Sequence, residues 1–455
     1  MQPAGIVKPL VELFCAWLAG VCLVRMAVLL AGYRAARSRA AARDQVDLRA
    51  LIKSPLVPQV AVIAAAADAS PATLSFVRHL LKLHFGNVEV IVALDGPAAS
   101  DLAVWVEEFN LSPSARVPVG TLETMAVGTV YQAPDPARLL VVHKQRGGEA
   151  DSLNAAMNFA AAPLVAVADR ESVFAEDALL RLVPPFIEDA GHTSAVCSVT
   201  PVKPLRTLAS RFYALESVQA WLSRREGARL WNSFLPAPGS FVLAKRRELA
   251  EAGGFAAGVA ELLPQMQALE RTAGGFGRII LVRDPVSWPR APKSLGDVRE
   301  RIRREQRGIA RALLAARERS SPWKGRWSHF LLPGWRYLCP LVETAGLLLA
   351  APGFALGWIA PDLAALALAE SLVLDALVSM TAVTLGAATS DRDTRGSELI
   401  LQFLCAVLAS FGYRQWRIFQ QIAHGLGSPE RPPVQPRGGI RLRVHFQVSK
   451  RYIAS

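Results

Sequence analysis

Three long apolar segments constrain the fold of this 455-residue chain more than any other feature. They have 23, 23 and 26 residues and cover positions 10–32, 338–360 and 363–388. A helix needs about 20 apolar residues to cross a hydrocarbon core. We therefore expect a transmembrane anchor in residues 1–33 and a transmembrane region in residues 338–413. The run 399–413 has only 15 residues, which favours a re-entrant or interfacial segment, although a full crossing stays open.

The positive charge of the chain is concentrated beside these segments. The formal net charge is +13, and residues 290–326 hold 12 Lys or Arg against 4 Asp or Glu. Residues 414–455 hold 8 against 1. Basic flanks are typical of the cytoplasmic ends of membrane helices, so contact with anionic membrane lipids explains the charge better than nucleic acid does. We expect a multi-pass protein of the inner or plasma membrane, with the main domain and the basic tail 414–455 in the cytoplasm.

Between the apolar segments, residues 55–320 have the pattern of one α/β domain. Short apolar runs alternate with helical patterns, and Ser70-Pro71 is a helix start. The runs predict strands at 59–65, 88–94, 139–143, 164–168, 195–199 and 240–244. Alternation of this kind predicts a mostly parallel sheet covered by helices. The Arg-rich pattern of 295–319, with its apolar stripe, predicts a helix that lies on the membrane surface.

Acidic residues stand at or just after three of the predicted strand ends. They are Asp68, Asp95 and Asp169. Open parallel sheets bind ligands at the carboxyl ends of their strands, so we expect these side chains to share one crevice. Asp169 and Glu171 are two positions apart and have the oxygen ligands that a divalent cation prefers. The five cysteines include no Cys-x-x-Cys pair, so neither a disulfide framework nor a zinc site is indicated.

The order of several short motifs resembles that of the membrane-anchored family 2 glycosyltransferases, which include cellulose, chitin and hyaluronan synthases. The resemblance covers roughly residues 55–425. The motifs that carry it are Ala61–Asp68, Val90–Gly96, Gly147–Asn154, Asp169–Ser172, Pro238–Phe241, Arg246-Arg247, Gly253–Phe255 and Asp284–Trp288. It implies a cytoplasmic GT-A domain, which is a Rossmann-like α/β fold with a mostly parallel sheet, flanked by transmembrane helices.

The resemblance also implies roles for individual residues. The donor, a UDP-sugar or similar nucleotide-sugar, is expected to contact Asp68, Asp95, Lys144, Arg146, Asp151 and Asn154. Asp169 and Glu171 are expected to hold Mg²⁺ or Mn²⁺ on the diphosphate. Gly239 and Ser240 belong to the acceptor side. Arg304 is expected to contact the diphosphate, and Glu261 is the candidate catalytic base.

The chain departs from the family pattern at several of these motifs. Glu149 replaces the lysine of the third motif, so Lys144 or Arg146 would have to compensate. The simplest register of the base motif places Leu262 at the catalytic position, and a shift of one residue places Glu261 there. Both registers stay open. Glu305 stands where the family has the tryptophan that stacks on the acceptor sugar, which puts a processive channel in doubt.

Two functions follow from this mixture of retained and lost motifs. The first is a membrane-bound, inverting glycosyltransferase that acts on a glycan or lipid-linked acceptor in cell-surface or exopolysaccharide synthesis. The second is a catalytically degenerate subunit that pairs with an active partner synthase in a polysaccharide synthesis complex. A carrier or channel built around Asp375 is a third reading, but it leaves the α/β domain unexplained.

Overall fold

The computed structural model describes most of the chain as two compact units. The described residues are 4–40, 57–134, 138–198, 202–231, 241–255, 269, 278–282, 286–318, 326–389 and 396–425. One unit comprises Leu48–Ser198, Gly239–Ser287 and Glu430–Ser455, and we call it the sheet unit. The other comprises Met1–Asp47, Val199–Pro238 and Trp288–Pro429, and we call it the helical unit. The chain therefore leaves the sheet unit after residue 198 and returns to it at residue 239.

The sheet unit is built on nine described strands. They are β1 (Val60–Ala66), β2 (Val88–Asp95), β3 (Ser112–Pro113), β4 (Val127–Gln132), β5 (Leu139–Lys144), β6 (Leu164–Val167), β8 (Thr193–Ser198), β9 (Phe241–Lys245) and β10 (Arg278–Val282). Two short strands, β7 (Ser172–Phe174) and β11 (Ser287–Pro289), form a separate two-stranded sheet. The helices of this unit are α2 (Pro71–Leu81), α3 (Ala99–Glu108), α4 (Glu149–Phe159), α5 (Ala178–Leu182), α6 (Pro184–Glu188) and α8 (Arg246–Glu251).

The large sheet has the strand order β10-β8-β9-β6-β1-β2-β5-β4-β3. Strand β1 lies at its centre and pairs in parallel with β2 and β6, with Val60 opposite both Val88 and Leu164. Strand β2 pairs in parallel with β5. Among the nine described strands of this sheet, only β4 and β9 run against the common direction. The predicted α/β class with a mostly parallel sheet is therefore confirmed, and each predicted strand lies within two residues of an observed one.

Burial explains why these runs form strands. The central strand β1 is buried along nearly its whole length, as expected for a parallel strand that is covered on both faces. Helix α2 begins where the sequence predicts, since Ser70 caps it by accepting a hydrogen bond from the Thr73 amide (3.4 Å). Its apolar face, which includes Phe76 and Leu80, packs into the core over the sheet.

The helical unit holds the apolar segments. Its helices are α1 (Ala4–Ala40), α7 (Leu208–Trp231), α9 (Leu295–Glu318), α10 (Arg326–Ala355), α11 (Pro361–Thr389), α12 (Gly396–Leu408) and α13 (Arg414–Gly425). Among the described residues, the stretches Gly5–Arg34, Pro361–Ala388 and Gly396–His424 are long and apolar enough to cross a membrane. A shorter apolar stretch covers Leu341–Ala355. Apolar helices near the N-terminus and in the C-terminal region are thus confirmed. Helix α9 covers the predicted Arg-rich helix, whose place on the membrane surface stays a prediction.

The backbone breaks between α12 and α13. The π-helical turn Ala409–Tyr413 contains non-helical angles at Phe411 and Gly412, whose φ is +93°. Helix α12 has 13 residues, and at 1.5 Å per residue it is about 20 Å long, which is less than the roughly 30 Å of a hydrocarbon core. The break lies inside the run 399–413, whose re-entrant or spanning path stays a prediction.

A partly buried ionic network connects four of these helices. Arg25 of α1 lies 2.9 Å from Asp375 of α11, and Arg414 of α13 lies 3.1 Å from the same carboxylate. Arg414 also lies 2.7 Å from Glu343 of α10. Charges inside an apolar helical unit need partners of opposite sign. Asp375 therefore has two cationic partners within the helical unit.

Candidate functional site

The three predicted acidic residues end three adjacent parallel strands. Asp68 follows β1, Asp95 ends β2, and Asp169 follows β6. Because the strand order is β6-β1-β2 and all three strands are parallel, the three residues lie on the same edge of the sheet. Neighbouring strands are about 4.8 Å apart, so the two outer strand ends are about 10 Å apart. The topology thus brings together the side chains that the sequence grouped.

Asp68 is half-exposed and strongly hydrogen-bonded. Its Oδ1 accepts hydrogen bonds from the Thr73 hydroxyl (2.6 Å), the Ser70 hydroxyl (2.8 Å) and the Ser70 amide (3.2 Å). The Thr73 bond, helped by the Ser70 bonds, lowers the pKa of Asp68 to about 2 against a smaller opposing effect of burial. Its backbone carbonyl also accepts a hydrogen bond from Trp105 Nε1 at 3.3 Å. Asp68 is therefore a fixed anion at the end of β1.

Asp95 faces inward, and its carboxylate is fully engaged. Its Oδ1 accepts hydrogen bonds from Lys144 Nζ (2.9 Å) and the Gly147 amide (2.7 Å), and its Oδ2 accepts one from the Gly148 amide (3.0 Å). Burial alone would raise its pKa, but the Gly147 and Lys144 bonds outweigh burial and lower the pKa of Asp95. Asp95 thus holds the loop that precedes α4.

Lys144 is buried in the same cluster. It is 1% exposed, and its Nζ lies 2.9 Å from Asp95, 2.5 Å from Asp151 Oδ2 and 2.7 Å from the Gln145 carbonyl. Gly147 is required here because a Cβ at that position would lie 2.5 Å from Asp151 Oδ2. The sequence predicted that Lys144 and Asp151 contact the donor, and the structure places them against each other and Asp95.

The two backbone amides just before α4 are consequently bonded to the carboxylate of Asp95. A helix N-terminus with free backbone amides attracts phosphate groups. Here the amides of Gly147 and Gly148, immediately before the first residue of α4, both donate to Asp95. A diphosphate would have to displace that carboxylate before it could use them.

The segment Asp169–Glu171 extends from the end of β6 at the same edge. Asp169 and Glu171 are partly buried, and Asp169 Oδ1 accepts a hydrogen bond from the Glu171 amide at 2.9 Å. Among the described residues, no group of three or more His, Cys, Asp or Glu is arranged to hold a metal. Mg²⁺ commonly takes one or two protein carboxylates and completes its shell with phosphates and water. Two carboxylates of this kind fit that mode of binding.

Helix α4 carries a stripe of polar side chains whose role the sequence analysis missed. Asp151, Asn154 and Asn158 lie on one face. Asp151 accepts a hydrogen bond from the Met125 amide, and Asn158 makes two with the backbone of Leu122. The clue in the sequence is two asparagines within a helix, where this residue is unfavourable unless its amide is bonded.

Asn154, which was expected to contact the donor, belongs to this stripe. Its Nδ2 donates to the Phe255 carbonyl at 3.0 Å, and its Oδ1 accepts from the Phe255 amide at 2.7 Å. Gly254 has a φ of +69°, and a Cβ there would lie 2.4 Å from Asn154 Oδ1. The side-chain amide of Asn154 therefore fixes the backbone that follows α8.

The remaining predicted site residues are Arg146, Arg304, Glu261, Gly239 and Ser240. Arg146 is exposed, and its backbone passes so close to Gly96 that a Cβ on that glycine would lie 2.8 Å from the Arg146 Cβ. Arg304 belongs to the helical unit, where its Nε lies 3.3 Å from Glu300 on α9. Glu261, Gly239 and Ser240 fall outside the described residues, so their roles stay predictions.

Comparison with known proteins finds a family for part of the chain. Residues 58–272 match the family model "Glycosyltransferase like family 2". No curated protein matches the sequence.

Solved structures with a similar fold have low sequence identity to this chain. A mannosyltransferase from Pyrobaculum calidifontis, solved with GDP-Man and Mn²⁺, is 15% identical at a TM-score of 0.47, covering 89% of this chain and 99% of its own. Glucosyl-3-phosphoglycerate synthase from Mycobacterium tuberculosis, solved with Mn²⁺, UDP-glucose and phosphoglyceric acid, is 14% identical at a TM-score of 0.39, covering 62% and 86%. A mycobacterial protein is 16% identical at a TM-score of 0.39, covering 60% and 79%.

Proposed function

We propose that this chain transfers a sugar from a nucleotide-diphosphate donor to a glycan or lipid-linked acceptor, since residues 58–272 match the glycosyltransferase family 2-like model. The observation that carries the proposal is the placement of Asp68, Asp95 and Asp169 at one edge of three adjacent parallel strands. The apolar helices support a membrane-bound enzyme. A role in cell-surface or exopolysaccharide synthesis is part of the same proposal.

The proposed reaction is a displacement at the anomeric carbon of the donor. The acceptor oxygen forms a bond to that carbon while the bond to the diphosphate oxygen breaks, and the electron pair leaves with the diphosphate. Asp169 and Glu171 would hold Mg²⁺ or Mn²⁺, which offsets the negative charge that develops on the leaving diphosphate. Glu261 would take the proton of the acceptor hydroxyl. Asp68 is a permanent anion that can orient a donor hydroxyl or base edge.

The proposal is tested by sugar transfer in purified membranes that contain the full chain, with UDP- and GDP-sugars and added Mg²⁺ or Mn²⁺. We expect Asp169→Ala and Glu261→Gln to lower turnover by about 100-fold or more, since general-base catalysis and charge stabilisation each contribute that much. Glu251→Gln is the control, because this exposed glutamate only pairs with Arg247 on α8. Wild-type turnover in both site variants would exclude this mechanism.

A non-catalytic subunit is the second candidate function, and one observation favours it. The carboxylate of Asp95 and the amides of Gly147 and Gly148 are joined to each other, while Glu149 places an anion at the start of α4. Both features disfavour binding of an anionic donor at this point, as we expect of a non-catalytic domain. Absence of transfer by the isolated chain, together with co-purification of an active synthase, would support this second function. Clear turnover by the isolated chain would exclude it.

A further inference from the structure

The candidate crevice has an excess of carboxylates, so an anionic donor needs positive charge from the protein or from a cation. Asp68, Asp169 and Glu171 all stand at the ends of β1 and β6. One cationic group expected from the sequence does not meet this need, because Lys144 is buried between Asp95 and Asp151. The amides of Gly147 and Gly148, which lie just before α4, are bonded to Asp95.

Arg170 is a cation that lies at this edge. It stands between the two proposed cation ligands, and its Nη1 is 3.3 Å from Asp68 Oδ2 and 3.3 Å from Thr73 Oγ1. The side chain therefore points over the end of β1, along the row of strand ends. We propose that Arg170 binds the diphosphate of the donor and stabilises the charge of the leaving group, in place of the lysine that Glu149 replaces. This inference rests on the proposed donor site.

The existing contacts of Arg170 are weak enough for its side chain to exchange partners. The side chains of Arg170 and Asp68 are 47% and 46% exposed, and exposed ion pairs of this kind contribute little to stability. Asp68 keeps its Ser70 and Thr73 bonds on the other oxygen when Arg170 moves away. A guanidinium presents paired donors to phosphate oxygens, and such charge-assisted bonds are about twice as strong as neutral ones. The contact with Asp68 joins one nitrogen to one oxygen at 3.3 Å, whereas a diphosphate offers several charged oxygens to the paired donors of Arg170 and can therefore replace Asp68 as its partner.

Binding of nucleoside diphosphates by the full chain tests this inference without requiring turnover. UDP and GDP, each with Mg²⁺, are titrated into detergent-solubilised wild type, Arg170→Ala and Arg170→Lys, and UMP and GMP are used as competitors. We expect Arg170→Ala to weaken diphosphate binding by about tenfold or more and to change monophosphate binding much less. Arg170→Lys keeps the charge without the planar fork, so an intermediate loss is expected. Arg247→Ala, which removes an exposed arginine on α8, should bind as the wild type does.

The possible outcomes separate this inference from the proposed function. If wild type binds a diphosphate and Arg170→Ala binds it equally well, the role of Arg170 is refuted while the donor site stands. An equal loss of affinity for monophosphates and diphosphates would also refute the role of Arg170, because the arginine would then act only by holding Asp68. Weakened binding in Arg170→Ala without any sugar transfer by the wild type would support the inference and contradict the enzymatic function. Absence of diphosphate binding in the wild type would refute both.

Discussion

Lys144 is a buried cation in the interior of the sheet unit, where its ion pairs stabilise the fold. It is 1% exposed, and two carboxylates and one backbone carbonyl lie within 2.9 Å of its Nζ. The sequence shows only a lysine at the end of an apolar run, which is compatible with a phosphate-binding role. Its burial depends on Asp151 and on Asp95, which lies 49 positions before Lys144 in the sequence, so the residue pattern alone could not separate the two roles.

We expect Lys144→Met to destabilise the sheet unit by about 3–5 kcal/mol, because it leaves Asp95 and Asp151 buried without their cation. Thermal unfolding of the solubilised chain at pH 7 measures this change. The double variant Lys144→Met, Asp151→Asn should recover part of the loss. Lys245→Met, which removes a partly exposed lysine paired with Glu248, should cost about 1 kcal/mol or less.

The same variant has a predictable pH dependence. Because the pKa of Asp95 is lowered in the folded wild type, its contribution to stability is present above the unfolded pKa of about 3.9 and is lost as the pH falls through the lowered value. Without Lys144, the pKa of Asp95 should rise. The stability difference between wild type and variant should therefore shrink as the pH falls from 7 toward 4. A difference that is constant over this range would contradict the ion-pair assignment.

Among the helices and strands, the strands and helix α2 can be predicted from the local sequence pattern, whereas the role of α4 cannot. The strands are buried apolar runs, and α2 has its serine cap and first-turn proline in sequence. Helix α4 starts at a Gly148 with φ of +92°, and its polar stripe contacts loops that lie 26 to 101 residues away. Contacts over such separations depend on the strand order, which a single sequence does not contain.

Asn154 and Asn158 provide a matched test of this helix. Each makes two hydrogen bonds to the backbone of one residue, Phe255 or Leu122, so replacement by alanine should cost a similar 1–3 kcal/mol. The location of the effect should differ. Hydrogen exchange should increase around Gly253–Phe255 in Asn154→Ala and around residues 119–125 in Asn158→Ala. Equal exchange in both regions for both variants would show that the stripe does not hold the two loops separately.

At the scale of the whole molecule, the division into units could not be predicted from hydropathy. Helix α7 lies between two strands of the sheet in the sequence and is absent from the stretches that are apolar enough to cross a membrane, yet it belongs to the helical unit. Its Gln219 accepts a hydrogen bond from Arg25 (3.1 Å) and donates one to Ser379 (2.7 Å). Polar contacts such as these hold α7 against the apolar helices of its unit. They produce no periodic pattern in the sequence from which its position could be predicted.

The close approach of α7 to α1 gives a test of this assignment. A Cβ at Gly32 would lie 2.3 Å from the Leu222 carbonyl oxygen, whereas a Cβ at Gly20 has no atom within 4 Å. Both glycines lie in α1, so alanine brings the same gain in helix propensity of about 1 kcal/mol at either position. We expect Gly20→Ala to be neutral or stabilising. Gly32→Ala should destabilise the solubilised chain by about 1–3 kcal/mol, because the helix backbones must move apart. Equal thermal stability of the two variants would mean that α7 does not pack on α1 at Gly32.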